Sequence, residues 1–255
     1  MSTVRAKRSR KQMQPQYSIP PECIPDVTDI VIDDGAPVDG LITEKQMRLL
    51  TEPLYSSWPG PGKGRPFAVL ANVGLFHTYR KPPIVPDVML SLDVKWPEDL
   101  SQKENNTYFV WVIGKLPDVA IEVVSNRLGG EDSSKMTEYA RIGVPYYVIY
   151  DPEKFLSQEM LRMFVMRGLN YERLKNGWLS DIGLGLRLWQ GKFEGMPGTW
   201  LRWCDRDKHV IPTGAERSEM ERALSQRERK RTKKAVQEIK RLRQKLRDAG
   251  IEPKE

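Results

Sequence analysis

The chain has 255 residues and a formal net charge of +7, which is long enough for one sizeable hydrophobic core with appendages. Its two cysteines, Cys23 and Cys204, match no metal-ligand spacing and are too few for a disulfide framework, which points to a reducing compartment. No apolar run approaches the roughly 20 residues needed to cross a bilayer, and the opening MSTVRAKRSRKQMQPQ lacks the apolar stretch of a secretory signal, so a soluble, cytoplasmic protein is expected.

The positive charge is concentrated at the two ends. Residues 1–24 carry a net +4 and residues 213–255 a net +6, leaving −3 for everything between. Basic ends of this kind attract phosphate backbones through counterion release, or serve only to keep a chain dissolved.

Residues 1–24 hold Lys, Arg, Gln, Ser and three prolines without apolar periodicity; such a composition buries too little surface to offset the entropy of ordering, so a disordered arm is expected. In TEKQMRLLTEPL, Thr43 and Gln46 have the spacing of a capping box, which predicts a helix over about 43–51. From residue 65 the texture changes to strands: PFAVLANVGLF, IVPDVMLSLDV, TYFVWVIG and LPDVAIEVVS, rich in Val, Ile and aromatics. The stretch SSKMTEYARI then reads as a helix capped by Asp132 and stopped by Gly143, with VPYYVIYDP as another buried strand. A helix between two strands predicts a crossover and a mixed sheet. LRMFVMRG, NYERL, GWLSDIGLGLRLWQG and TWLRWCDRDKHVIPT follow as further strands that extend or cover that sheet.

From Gly214 to Ala249 charges dominate and no proline interrupts, which predicts one long helix. Ala235, Ile239, Leu242, Leu246 and Ala249 follow a 4-3-4-3 spacing along it. Such a stripe suits pairing with a second copy as a coiled coil, though a solvated single helix fits the same pattern.

The chemistry is concentrated in two PD dipeptides. On the strand 118–124, alternation places Asp118, Ala120, Glu122 and Val124 on one face and Val119, Ile121 and Val123 on the other. Buried ionised carboxylates are costly unless paired or bound to metal, so Glu122 needs a partner. One partner is a cation on the following helix, where Lys135 stands with Tyr139 one turn on. The other is a metal shared with Asp87, which sits in the same PDV context on an earlier strand. Magnesium suits such a site, because it takes one or two carboxylates and keeps waters for a phosphate. Lys135 would then stabilise charge developing on that phosphate or assist the attacking water.

The stretches ANVGLFHTYRKPPIVPDVMLSLDV, KENNTYFVWVIGKLPDVAIEVVSN, KMTEYARIGVPYYVIYDP and GLGLRLWQGKFEG, with the closing LRQKLRDAGIEP, resemble in order and spacing the Uma-two family of restriction-endonuclease-like proteins. That family belongs to the nuclease superfamily named for its PD...(D/E)xK motif, and the likeness runs from about Pro66 to Pro253. The resemblance implies an α/β fold with a restriction-endonuclease-like mixed central sheet flanked by helices, here continued by the long C-terminal helix. With the composition of the two ends, which the likeness does not cover at the arm, three parts are expected: the arm 1–24, a nuclease-like domain over 25–212 and a charged helix over 213–255. It also implies Asp87 and Glu122 as ligands of Mg2+, with Mn2+ able to substitute. The motif's lysine belongs two residues after Glu122, where this chain has Val124; Lys135 on the next helix takes its place in the resemblance. Asp118 ranks below Asp87 as a ligand, and Tyr139 is a secondary candidate.

The expected function is therefore a metal-dependent nuclease hydrolysing phosphodiester bonds, with DNA as partner and a homodimer through the C-terminal helix. The alternative is an inactive nuclease fold that binds other molecules. His77 and His209 look isolated, and a zinc site is not expected. The glycines of NRLGGED read as a loop near the site, since no P-loop Lys-Ser/Thr follows. The tryptophans read as core or edge packing.

Overall fold

The computed structural model describes Cys23, Pro25, Asp26 and residues 40–248 apart from 63, 97, 98, 100 and 128. Nearly all of the basic arm expected over 1–24 lies outside the described residues. In chain order the elements are α1 (Leu41–Ser56), β1 (Phe67–Ala71), β2 (Leu75–Phe76), β3 (Val88–Leu92), β4 (Tyr108–Phe109), α2 (Val110–Ile113), β5 (Val119–Val123) and α3 (Ser134–Ile142). They continue as β6 (Tyr146–Tyr150), β7 (Leu161–Arg167), β8 (Asn170–Arg173), β9 (Trp178–Leu179), β10 (Leu184–Phe193), β11 (Met196–Cys204) and α4 (Gly214–Asp248).

Six strands form the central sheet in the order β1-β3-β5-β6-β7-β8. The β5–α3–β6 unit is the expected crossover: β5 and β6 are parallel, and every other neighbour pair in this sheet is antiparallel. Alternation along β5 divides the core as the sequence predicts. Val119, Ile121 and Val123 face one cluster with Val148 and Tyr150, closed by Leu50 and Leu54 of α1 and by Leu201 and Trp203 of the smaller sheet β11-β10-β9. Ala120 and Val124 face a second cluster with Tyr147, Ile149 and Tyr139 of α3. The sheet is covered on both faces, so its central strands read as continuous apolar runs.

Three local expectations are corrected. The helix α1 begins two residues earlier and ends five later than 43–51, and the Thr43–Gln46 capping box does not form: Gly40 is the N-cap, without a side-chain bond. Gln46 is buried and turned inward, donating to the Leu201 carbonyl at 2.8 Å and accepting the Leu201 N–H at 3.0 Å. A tertiary need for those two backbone groups overrides the local pattern. Replacing Gln46 by alanine strands both of them and is expected to cost about 2–4 kcal/mol, read as a lower midpoint in urea melts.

Second, TYFVWVIG is not a strand throughout. Only Tyr108 and Phe109 pair, with β2, before α2 makes a single turn closed by Gly114 at φ 90°. The turn lets Phe109 and Val112 pack on Phe76 in a small separate cluster. Third, α3 takes Ser133, not Asp132, as its N-cap and has no side-chain cap bond; Asp132 instead accepts from Arg162 of β7 at 3.3 Å. Gly143 does end α3, at φ 92°, a conformation that favours glycine.

The long helix α4 runs 35 residues with none of them buried. It is fixed only at its root. Thr213 and Glu216 form a reciprocal capping box, Thr213 N–H to Glu216 at 2.8 Å and Glu216 N–H to the Thr213 hydroxyl at 3.1 Å. The buried Arg202 grips the same carboxylate with two bonds of 2.8 and 2.6 Å. Ile239, Leu242 and Leu246 of the apolar stripe are exposed, and Ala249 lies outside the described residues.

Candidate active site

The candidate site forms where β3, β5 and α3 meet. Strand register pairs Val88 with Ile121, so Asp87, one residue before β3, falls across from Glu122. Opposed residues of an antiparallel pair point to one face. Asp87 is anchored by accepting the Val123 N–H at 2.6 Å.

Glu122, one residue before the end of β5, is fully buried. One oxygen accepts from the Lys135 ammonium at 2.9 Å and the other from the Tyr139 hydroxyl at 2.7 Å. Lys135 and Tyr139 lie four residues apart on α3, so a single helical face delivers both donors. Val124, which holds the place of the motif's lysine, is buried among apolar neighbours, whereas the Lys135 ammonium does reach the Glu122 carboxylate.

The electrostatics are strained in one direction. Burial first, and the neighbouring Asp87 charge second, push the Glu122 carboxyl up to about 8, against the opposing pull of Lys135 and Tyr139. Burial disfavours the charged form of Lys135, but Glu122, Asp87 and Glu131 together outweigh it and hold the lysine above its ordinary value. Tyr139 is raised well above a normal tyrosine by burial and by Glu122, and remains a neutral donor.

The sequence reading missed Glu131. It is buried in the loop before α3, with one oxygen 3.7 Å from the Lys135 ammonium and the other buried without a hydrogen-bond partner. Its own backbone is fastened by Tyr147, whose hydroxyl donates to the Glu131 carbonyl at 2.7 Å. No periodicity marks a residue inside a glycine-rich loop, so only the spacing Glu131-x-x-x-Lys135 could have suggested it. Arg162 was missed as well. It stands opposite Ile149, which stands opposite Glu122, so it lies in the same row of the sheet.

Other candidates lie elsewhere. Asp118 sits at the opposite end of β5, paired with Lys115 at 2.6 Å and accepting the Leu92 N–H at 2.7 Å. Its distance along the strand, four residues, is about 13 Å. His77 is near Arg141 and Glu138. His209 is not isolated: Asp205, Asp207 and His209 bring their ligand atoms within 4.8 Å of one another in the turn after β11. The spacing of two and four residues was in the sequence, but only the turn gathers it, and the Asp205 bonds to the His209 N–H and ring account for the arrangement.

Asp87 and Glu122 offer hard carboxylate oxygens from facing positions of neighbouring strands, while among the described residues three ligand atoms within 4.8 Å of one another are found at Asp205, Asp207 and His209. A facing pair of carboxylates is the donor type that a divalent cation takes with its remaining waters, and such an ion would relieve the repulsion felt at Glu122.

A mixed sheet with a β5–α3–β6 crossover, an acidic pair at the strand ends and a lysine on the next helix describes a restriction-endonuclease-like α/β protein. The family model of Uma2, described as "Putative restriction endonuclease", matches residues 35–175, more than half of the chain. The chain therefore belongs to the Uma2 family. No curated protein matches it, and no helix among the described residues is long and apolar enough to cross a membrane.

Proposed function

We propose that this protein is a Mg2+-dependent nuclease that hydrolyses phosphodiester bonds, with DNA as substrate and Mn2+ able to replace Mg2+. The observation that carries the reading is the gathering of Asp87, Glu122 and Lys135 at one point from three separate elements. Asp87 and Glu122 would hold the cation, Asp87 oriented by the Val123 N–H and Glu122 by the Tyr139 hydroxyl. A bound divalent cation supplies Lewis acidity toward the phosphate and a more acidic water. Lys135, kept charged by its carboxylate neighbours, acts as a fixed cation beside the charge that builds on the phosphate, and not as a base.

The working unit is the domain over 25–212, with the helix 213–255 as an appendage and the cytoplasm as its compartment. From Arg227 to Arg247 that helix carries eleven basic and two acidic side chains. This supplies the phosphate attraction that the mildly acidic domain lacks. Changing Lys230, Arg231, Lys233 and Lys234 to glutamate is expected to weaken DNA binding by tenfold or more at low salt and to flatten its salt dependence, measured by fluorescence anisotropy. The same helix carries the stripe through Ile239, Leu242 and Leu246 for pairing two copies as a coiled coil, so that each site addresses one strand of a duplex. A dimeric mass by light scattering at micromolar concentration is expected; a monomeric one sets that arrangement aside.

One observation favours the second reading, an inactive fold that binds other molecules: both oxygens of Glu122 already have partners within the chain. Labelled DNA and RNA oligonucleotides, single- and double-stranded, incubated with Mg2+ or Mn2+ separate the two. Cutting that chelation abolishes supports the nuclease, and preference among the substrates sets its class. Binding without cutting under either metal supports the alternative.

A further inference from the structure

We infer that Tyr147 and Tyr171 are positioning residues of the site: their hydroxyls hold the two ends of α3 and so place Lys135 against Glu122. The inference deepens the nuclease reading above and rests on it for its effect on rate. It starts from where the lysine stands. Glu122 belongs to β5, whose place is set by ladder bonds to β3 and β6, whereas Lys135 belongs to a helix outside the sheet. A helix spends its backbone bonds on itself, so its register against a sheet comes from side chains. A slip of one residue moves a helical side chain about 1.5 Å along the axis and turns it by about 100°. Such a slip breaks both the 2.9 Å bond from Lys135 and the 2.7 Å bond from Tyr139 to Glu122.

Two tyrosines supply the register from the sheet. Tyr147 of β6 is buried, and its hydroxyl donates at 2.7 Å to the carbonyl of Glu131, three residues before α3 begins. Tyr171 of β8 donates at 2.7 Å to the carbonyl of Val144, two residues after α3 ends. Buried hydroxyls need acceptors; here both find them on the segment that carries Lys135, one beyond each end of its helix. The rings form a single row. Tyr139 of α3 lies 5.0 Å from Tyr147, and Tyr147 lies 5.6 Å from Tyr171 in a stacked pair. Tyr139 is the side chain that donates to Glu122, so the row joins both grips to the carboxylate. Arg162 adds a longer bond, 3.3 Å, to Asp132 at the start of the helix. Burial raises the Tyr147 and Tyr171 hydroxyls above an ordinary tyrosine, so each stays a neutral donor. Their acceptors are backbone carbonyls, so the grips do not depend on the charge at the site.

Tyr147→Phe and Tyr171→Phe remove the grips and keep the rings, so both variants are expected to fold. Two measurements on the full chain test the inference. In metal-free protein, amide hydrogen exchange over α3 is expected to quicken about tenfold or more in the double variant, with β5 and β6 unchanged. In Mg2+, each single variant is expected to lower kcat on a DNA duplex by about 10–100-fold with KM within about threefold, the loss that follows a displacement of about 1 Å. In a Lys135→Met background the same changes are expected to cost no more than about threefold, because the group they position is gone. Exchange that quickens over the whole sheet, or not at all, overturns the inference, and so does a rate loss of equal size in both backgrounds. If wild type cuts nothing, the nuclease reading fails by itself, and exchange over α3 still decides whether the two tyrosines hold the helix.

Discussion

Glu122→Gln is expected to abolish metal-dependent cleavage, by about a thousandfold or more, while the protein stays folded. The side chain keeps its shape and its acceptor for Tyr139, but loses the charge that a cation requires. The effect on stability has a sign that separates this account from a simple buried ion pair. Glu122 in the folded protein titrates at about 8, above the ordinary carboxyl value of 4.5. The folded state therefore binds more protons than the unfolded state between those values. Its contribution to stability is fully present below about 4.5 and is lost as pH rises toward about 8, by an amount on the order of a few kcal/mol. Metal-free wild type is expected to melt lower at pH 8.5 than at pH 6. Glu122→Gln, with nothing to titrate, is expected to flatten that difference, and thermal melts in chelator at the two pH values check it.

Lys135→Met is expected to lower the cleavage rate by about 10²–10³-fold, the loss that follows removal of one fixed donor beside developing charge. It also has a second consequence. Lys135 is the cation that pulls the Glu122 carboxyl down, so without it the carboxyl rises further, and the alkaline rise of activity is expected to move to higher pH. A rate loss without that displacement would mean that Lys135 touches the phosphate but not the electrostatics of Glu122. Methionine is an unbranched side chain of similar length, so it fills much of the space that the half-buried lysine stem occupies.

Much of this site was legible in the chain because it is built on regular elements. The two faces of β5 follow from alternation alone, and the spacing of Lys135 and Tyr139 puts both on one side of α3. The nearness of Asp87 to Glu122 was conditional in the sequence and is met by the β3–β5 register. What could not be read depends on contacts between distant parts. Thr43-x-x-Gln46 and Thr213-x-x-Glu216 are equally good capping boxes on paper; only the second caps, because Gln46 is claimed by Leu201 across 155 positions. Glu131 hides for the same reason, since burial inside an irregular loop leaves no periodic trace. TYFVWVIG has strand-forming residues, yet Gly114 allows a turn that sends Phe109 and Val112 to a cluster of their own.

The most direct measurement is cleavage of supercoiled plasmid and of single-stranded DNA by purified wild type, Glu122→Gln and Lys135→Met, in Mg2+ and in Mn2+. The expected result is cutting by wild type that chelation stops, none detectable with Glu122→Gln and a strongly slowed reaction with Lys135→Met. Cutting of equal rate in all three proteins, or none by folded wild type with either metal, would contradict it and leave Glu122 and Lys135 as a buried structural pair.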